Sequence, residues 1–289
     1  MPHIIRLQLQ GGLGNQLFIW AMAHELTKTY KCHVRIVFTN DKFQRSDRPC
    51  EIRELKNHCT HDISIVNTRI WSLILRTVDK LNSNTQVEKL NISRIVGLVS
   101  MNSSYGIPVF KKRPPRFIRG FFQSYSLVEG NSSTIYHEIS KCFENVPNFV
   151  RTNESYNVSH IRRGDYTLQP KSLGLLTFKY YKKHTISTGP LYICTDDDAI
   201  VHTVKESFPE SIVLTPQESS TWETFKLMAH ANHLIMANSS LSWWAGWFLL
   251  KSPGSKVIFP SPWTLCDPRI TENLLIEKAE IAESSFEES

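Results

Sequence analysis

Short apolar runs closed by glycine, asparagine or a charged cluster alternate along this chain with longer helical stretches. The run "IIRLQLQ", Ile4 to Gln10, reads as a strand stopped by Gly11-Gly12. The next stretch, "NQLFIWAMAHELTKTY", carries apolar residues on most sides through its first turns, which predicts a buried helix rather than a surface one. "HVRIVF", His33 to Phe38, predicts a second strand, so the chain opens on a βαβ unit. Through residues 40–110 the pattern is weaker. "NTRIWSLILRTVDKL" predicts a helix, "RIVGLVS" a strand, and "RFIRGFFQS", Arg116 to Ser124, a strand reaching a functional edge.

From residue 150 the alternation is regular. "YNVSHIR", "LYICT", "SIVLT", "HLIMAN" and "KVIFP" predict strands, separated by helices over "TFKYYKKHTIS", "DAIVHTVKESF", "SSTWETFKLMAHA" and "SLSWWAGWFLL". The connections have the length of βα and αβ loops. The expected fold is α/β, with doubly wound parallel sheets. The aperiodic stretch Cys142 to Asn157, which contains Pro147, supplies a boundary. Residues 1–148 and 149–289 are then two Rossmann-like domains facing one another across a cleft. The acidic tail "EKAEIAESSFEES" is expected to fray.

A chain of 289 residues exceeds the usual single-domain size, which agrees with that division. Its core can be large enough to need no metal or disulfide staple. The net charge of +6 is mildly basic and suits an anionic small ligand, or weak attraction to an anionic membrane surface, without demanding nucleic acid. "FKKRPPRF", Phe110 to Phe117, reads as a solvated Pro-rich loop, with a membrane-facing patch as the alternative. The six cysteines form no CxxC pair and no zinc spacing, which fits a reducing compartment. The start of the chain runs straight into a strand, and no apolar run approaches the ~18 residues of a membrane helix. A cytoplasmic protein is expected, with peripheral contact at the inner membrane as the alternative.

Open parallel sheets bind ligands at the carboxyl ends of their strands, so the residues there carry the candidate chemistry. After the first strand, "GGLGNQ" places Gly12, Gly14 and Asn15 at a helix start, where the backbone can approach an anion; the spacing matches neither G-x-G-x-x-G nor a P-loop, and a tight turn explains it equally well. After "NVSHI" come Arg162, Arg163 and Asp165, with His160 just before them. Arginine forks match phosphate oxygens. Alternation sends the two arginines to opposite sides, so that one reaches the ligand while the other pairs with Asp165 or another carboxylate. A purely structural Arg–Asp pair is the competing explanation. "TDDD", Thr195 to Asp198, is acidic at a helix start and suits capping or arginine pairing better than a metal. "NSSLSWW" presents Asn238, Ser239, Ser240 and Ser242 at another helix start, a second anion site, with its tryptophans expected in the core. There is no G-x-S-x-G elbow and no assignable pair of hydrolytic carboxylates. What remains is an enzyme that grips a diphosphate leaving group.

The ordered set "GGLGNQLF", "HIRRGDY", "YICTDD", "LMAHANHLIMANSSLSWWAGW" and "IFPSPW" resembles the α-1,2-fucosyltransferases of glycosyltransferase family eleven across residues 11–263. The resemblance implies a GT-B-like fold and GDP-β-L-fucose as donor. It also implies inverting transfer to the 2-hydroxyl of a galactose-terminated oligosaccharide, and no cofactor or required metal. It carries diphosphate binding to Arg162, phosphate contacts to Ser239 and Ser240, and a place near the reacting sugar to Asn15. It puts His160 near the nucleotide and near Asp196 or Asp197. Where the family often has an acid in a D-x-x-L-M arrangement, Thr224 stands here, with Glu223 one position earlier as the nearest acid for the base. Asp165 is the first candidate general base and His160 the second. The alternatives are a metal-dependent sugar-nucleotide transferase using Asp196 and Asp198, and a non-catalytic sugar-nucleotide-binding protein. The resemblance and topology together imply a bacterial enzyme of surface-polysaccharide (O-antigen) synthesis.

Overall fold

The computed structural model describes residues 3–38, 49–59, 62–68, 98–100, 106–107, 114, 116–150, 155–186 and 188–287. It divides into two compact units, Met1–Cys142 and Phe143–Ser289. The sequence placed the boundary at 148/149; the structure divides six residues earlier, in the last turn of a helix. There the Phe143 ring packs edge-on against Phe225 and Phe248 of the second unit, at centroid distances of 5.0 and 5.1 Å.

The first unit is a parallel sheet of β1 (Ile4–Gln8), β2 (His33–Phe38), β3 (Ile63–Asn67), β4 (Leu98–Ser100) and β5 (Phe117–Arg119), in the order β3-β2-β1-β5-β4. Helix α1 (Leu13–Tyr30) is buried over most of its surface, as its unpatterned apolar sequence predicts. Helices α2 (Tyr125–Glu129) and α3 (Ser132–Glu144) follow β5. A buried polar group ties α1 to α3: Glu138 Oε2 accepts from Trp20 Nε1 at 2.7 Å and lies 2.9 Å from His24 Nε2. The expected helix over residues 67–81 falls, beyond Thr68, outside the described residues, as does most of the basic stretch 110–117.

The second unit alternates β6 (Asn157–Ile161), α4 (Pro170–Leu173), α5 (Phe178–His184), β7 (Leu191–Thr195), α6 (Val201–Ser207), β8 (Ile212–Leu214), α7 (Thr221–Ala229), β9 (His233–Ile235), α8 (Ser240–Leu249), β10 (Lys256–Ser261), α9 (Pro268–Leu274) and β11 (Glu280–Glu283). Its parallel sheet has the order β11-β10-β9-β6-β7-β8. All residues of the central β6 are buried, as a strand covered on both faces requires. Trp243, Trp244 and Trp247 of α8 lie in the core, with edge-to-face contacts between successive rings.

As far as Glu287 the C-terminal tail does not fray. β11 pairs with β10 in parallel, Phe286 bridges Leu176, and Glu287 N–H donates to Leu175 O at 2.8 Å. Ala282 is buried on one face of β11 and Phe286 packs against the core, which outweighs the polar composition that suggested fraying. Among the described residues no helix is long and apolar enough to cross a membrane.

Candidate active site

Counted from β6, the second sheet runs 3-2-1-4-5-6, so its topological switch point lies between β6 and β9. Ligands of open α/β sheets bind in the crevice beyond the strand ends at this point. Two loops meet there. One leaves β6 through Arg162 and Arg163 into a 3-10 turn at Gly164–Leu168; the other leaves β9 through Asn238 and Ser239 into α8. Tyr166 joins them by donating its hydroxyl to Asn238 O at 2.7 Å.

Arg162 is caged. Its Nη1 lies 2.7 Å from Asp196 Oδ2, its Nη2 lies 2.5 Å from Asp165 Oδ1, and its guanidinium stands 5.5 Å above the Tyr166 ring. Burial works against its charge, but Asp196 and Asp165 outweigh burial and hold its pKa above the ordinary value. With about a fifth of the side chain exposed, the cation is oriented and still accessible. Arg163 turns elsewhere: its guanidinium meets Glu287 in a two-pronged pair at 2.5 and 3.0 Å, and its backbone N–H donates to Asp196 Oδ1 at 2.8 Å. The sequence offered the second arginine Asp165 or another carboxylate. The structure gives Asp165 to Arg162 and Glu287 to Arg163, because the tail returns beside Leu175 and Leu176.

His160 is buried, with Nδ1 sharing a hydrogen bond with Ser242 Oγ; that oxygen also accepts from Ala237 N–H at 3.2 Å. The described ring contact goes to Ser242, while Asp196, which the resemblance puts nearby, pairs with Arg162. Ile161 pairs with Thr195, so Asp196 comes level with Arg162 rather than with His160. Burial, helped by Arg162, pushes the His160 pKa down to about 3, which leaves a neutral imidazole at neutral pH. Ser242 is wholly buried and serves His160.

The remaining expected residues divide by what they touch. Ser239 caps α8, accepting from Leu241 N–H at 3.3 Å, and Ser240 opens the helix half-buried beside it. The helix N-terminus favours an anion at that point. The Asn238 side chain is buried and donates to Leu173, Gly174 and Trp263 carbonyls, so it shapes the loop. Asp197 caps the following turn through Ala199 N–H, and Asp198 accepts from Gln217. Glu223 closes a capping box with Ser220 at the start of α7, and its pKa falls through those hydrogen bonds. Thr224 bonds Ser219. Among the described residues no cluster of three His, Cys, Asp or Glu side chains is arranged to hold a metal ion.

The first unit has its own switch point, between β1 and β5. Gly11 turns the chain there with φ of +74°, Gly12 begins α1 without a side-chain cap, and Gly14 is buried in the first turn. Asn15 Oδ1 accepts from Gln123 Nε2 at 2.7 Å, joining the two strand ends. Behind it the buried Gln16 donates to Gly11 O and Pro49 O and accepts from Glu51 N–H. Sequence reasoning did not single out Gln16, Gln123, Tyr166 or Glu287. Gln16, Gln123 and Tyr166 stood inside flagged motifs, "GGLGNQ", "RFIRGFFQS" and "HIRRGDY", without being singled out; Glu287 lay in the acidic tail, where nothing local marks it.

Two units built on parallel sheets, with an arginine held by two carboxylates at a strand end of the second, are the frame for comparison with known proteins. The chain belongs to glycosyl transferase family 11, whose profile matches residues 4–264, and it is a glycosyltransferase. It is 27% identical to an α-1,2-colitosyltransferase of Escherichia coli, over 90% of this chain and 92% of that protein. It is 25% identical to the O-antigen biosynthesis glycosyltransferase WbnK of the same organism, over 88% and 93%. In fold it resembles the fucosyltransferase NodZ from Bradyrhizobium, with a TM-score of 0.51 at 12% identity over 86% of this chain and 94% of that one. The fold is therefore the expected GT-B-like one, built from two Rossmann-like units.

Proposed function

We propose that this glycosyltransferase is a galactoside α-1,2-fucosyltransferase, which moves L-fucose from GDP-β-L-fucose to the 2-hydroxyl of a galactose-terminated glycan with inversion. The observation that carries this reading is the Arg162 cage at the β6–β9 switch point, beside the N-terminus of α8. As the fucosyl group leaves with cationic character, charge grows on the diphosphate. A fixed guanidinium and the Ser239–Ser240 end of α8 stabilise that charge where it develops. They supply what a divalent cation supplies in other transferases, so the reaction is expected to need no metal. Asp196 and Asp165 keep the arginine oriented before the donor arrives. In this assignment Asp165 is a brace for Arg162, and the neutral His160 fixes the β6 end through Ser242.

The second unit is then the main donor side and the first the acceptor side, with Gly12, Gly14 and Asn15 expected to meet the donor's reacting sugar. An α-1,2-colitosyltransferase and an O-antigen biosynthesis glycosyltransferase among its relatives support α-1,2 transfer in O-antigen synthesis; a bacterial cytoplasmic or peripheral inner-membrane setting is part of the proposal. The colitosyltransferase favours one second reading, a colitose nucleotide as donor. The test is a transfer assay with GDP-fucose and the colitose nucleotide against galactose-terminated acceptors, with and without excess EDTA, and with the linkage read by NMR. Transfer of fucose in an α-1,2 linkage with EDTA present is expected. Transfer of colitose alone, or a need for metal, would overturn the donor or the metal-independent part.

A further inference from the structure

A pocket of about 360 Å³ opens in the first unit at the carboxyl ends of β2 and β3, lined by Phe38, Arg53, Lys56, Ile65 and Asn67. Its volume is at the lower end of the ~300–1,000 Å³ range of small-ligand clefts. Phe38 and Asn67 are register partners at the last positions of their strands, and Ile65 lies two residues before Asn67, so all three share one face of the sheet. Arg53 and Lys56 stand on the 3-10 turn Arg53–His58 that packs against β3.

That turn is anchored at two points. Leu55 is fully buried beneath it, and the segment leading into it is held at Pro49 and Glu51 by Gln16, the neighbour of Asn15. The Arg53 guanidinium lies 5.0 Å from the Phe38 ring centroid, a cation–π distance that orients it over the pocket. Among the described residues no acid lines the pocket, and no carboxylate forms an ion pair with Arg53 or Lys56. Two cations, an aromatic ring and an amide thus line one small cleft. β2 and β3 lie one and two strand spacings from β1, roughly 5 and 10 Å, where the strand end leads to Asn15.

We infer that this pocket is an acceptor subsite for an anionic group, a sugar carboxylate or a sugar phosphate, next to the galactose to be modified. The inference rests on the reading of the first unit as the acceptor side, and it deepens that reading by giving the acceptor a charge.

Its test is equilibrium binding, which needs no turnover. Lactose, lactobionate and lactose 1-phosphate are titrated into the full chain by calorimetry at low and moderate salt, with GDP-fucose titrated in parallel. At least one of the two anionic ligands is expected to bind five-fold or more tightly than lactose, with the advantage shrinking as salt rises. The Arg53→Gln/Lys56→Gln variant is expected to erase the advantage, while lactose binding, GDP-fucose binding and Tm stay as in the wild type. The carboxylate and phosphate arms separate the two sources of charge. Equal binding of all three sugars, or an advantage that survives in the variant, would overturn the subsite. Loss of GDP-fucose binding with the anionic preference intact would strike the donor assignment and leave this pocket standing.

Discussion

Gly164 and Asp196 occupy one space: a Cβ at position 164 would stand 2.0 Å from Asp196 Oδ2. That oxygen is the one paired with Arg162, and its partner Oδ1 takes the Arg163 backbone N–H. The glycine of "HIRRGDY" is therefore required by the carboxylate that positions the arginine. Gly164→Ala must push Asp196 aside. Transfer measured as kcat/KM for the donor is expected to fall at least ten-fold, about 1.4 kcal/mol, while Tm changes by only a few degrees because the β6 core is untouched. Activity within two-fold of wild type would show that the cage tolerates the displacement.

The two acids of the cage differ in weight. Asp196 bonds both the Arg162 side chain and the Arg163 backbone, and its side chain is about one-fifth exposed; Asp165 holds Arg162 alone and is 61% exposed. An exposed pair contributes little. Asp165→Asn is expected to lower kcat less than ten-fold, with an unchanged pH profile. Asp196→Asn should cost more than Asp165→Asn and raise the donor KM. A loss in Asp165→Asn of 10²-fold or more, with the disappearance of an acid limb from the pH–rate curve, would instead mark Asp165 as the general base.

The elements of the second unit were legible because each apolar run there is short, bounded and followed by a periodic helix. That alternation predicts a parallel sheet with "HIRR" and "NSSLS" at strand carboxyl ends; that the two loops share one switch point comes from the strand order of the fold. The partners of the arginines were less legible. Alternation placed them on opposite sides, but Arg162 and Arg163 lie past the end of β6, where a 3-10 turn rather than a strand sets direction. The Arg163 partner, Glu287, lies 124 positions along the chain, in a tail whose composition spoke for fraying. Gln16 and Gln123 are amides whose roles depend on which loop the fold brings back to them, and no local pattern carries that.

The neutral His160 gives the fold a pH dependence with a definite sign. Its folded pKa, about 3, lies below the unfolded value near 6.5, so the unfolded chain takes up the proton first. The stabilisation is present above pH 6.5 and is lost as pH falls toward 3. Between pH 7 and 5 this one group removes about 2 kcal/mol of unfolding free energy. His160→Gln, which keeps a group able to bond Ser242, is expected to flatten the urea-midpoint profile by that amount over the same interval. Parallel profiles for variant and wild type would show that the ring is protonated in the folded protein near its ordinary pKa.

Arg162 and Arg163 are adjacent in sequence but are expected to fail differently. Arg162 meets the site with its guanidinium, whereas Arg163 spends its own on Glu287 and so fastens the tail to the β6 end. Arg162→Ala removes the charge that faces the departing diphosphate. Loss of one such preorganised donor costs about 10²–10³ in kcat, on the order of 3–4 kcal/mol. Transfer is therefore expected to fall at least a hundred-fold, with Tm near wild type and activity not restored by added magnesium. Arg163→Ala and Glu287→Gln should lower Tm together and by similar amounts, with their double variant no worse than either alone, because both break one pair. Their transfer rates should stay well above that of Arg162→Ala at a temperature where the tail remains docked. An Arg162→Ala enzyme within ten-fold of wild type, or Arg163→Ala as damaged in rate as Arg162→Ala, would reverse the division of roles between the two arginines.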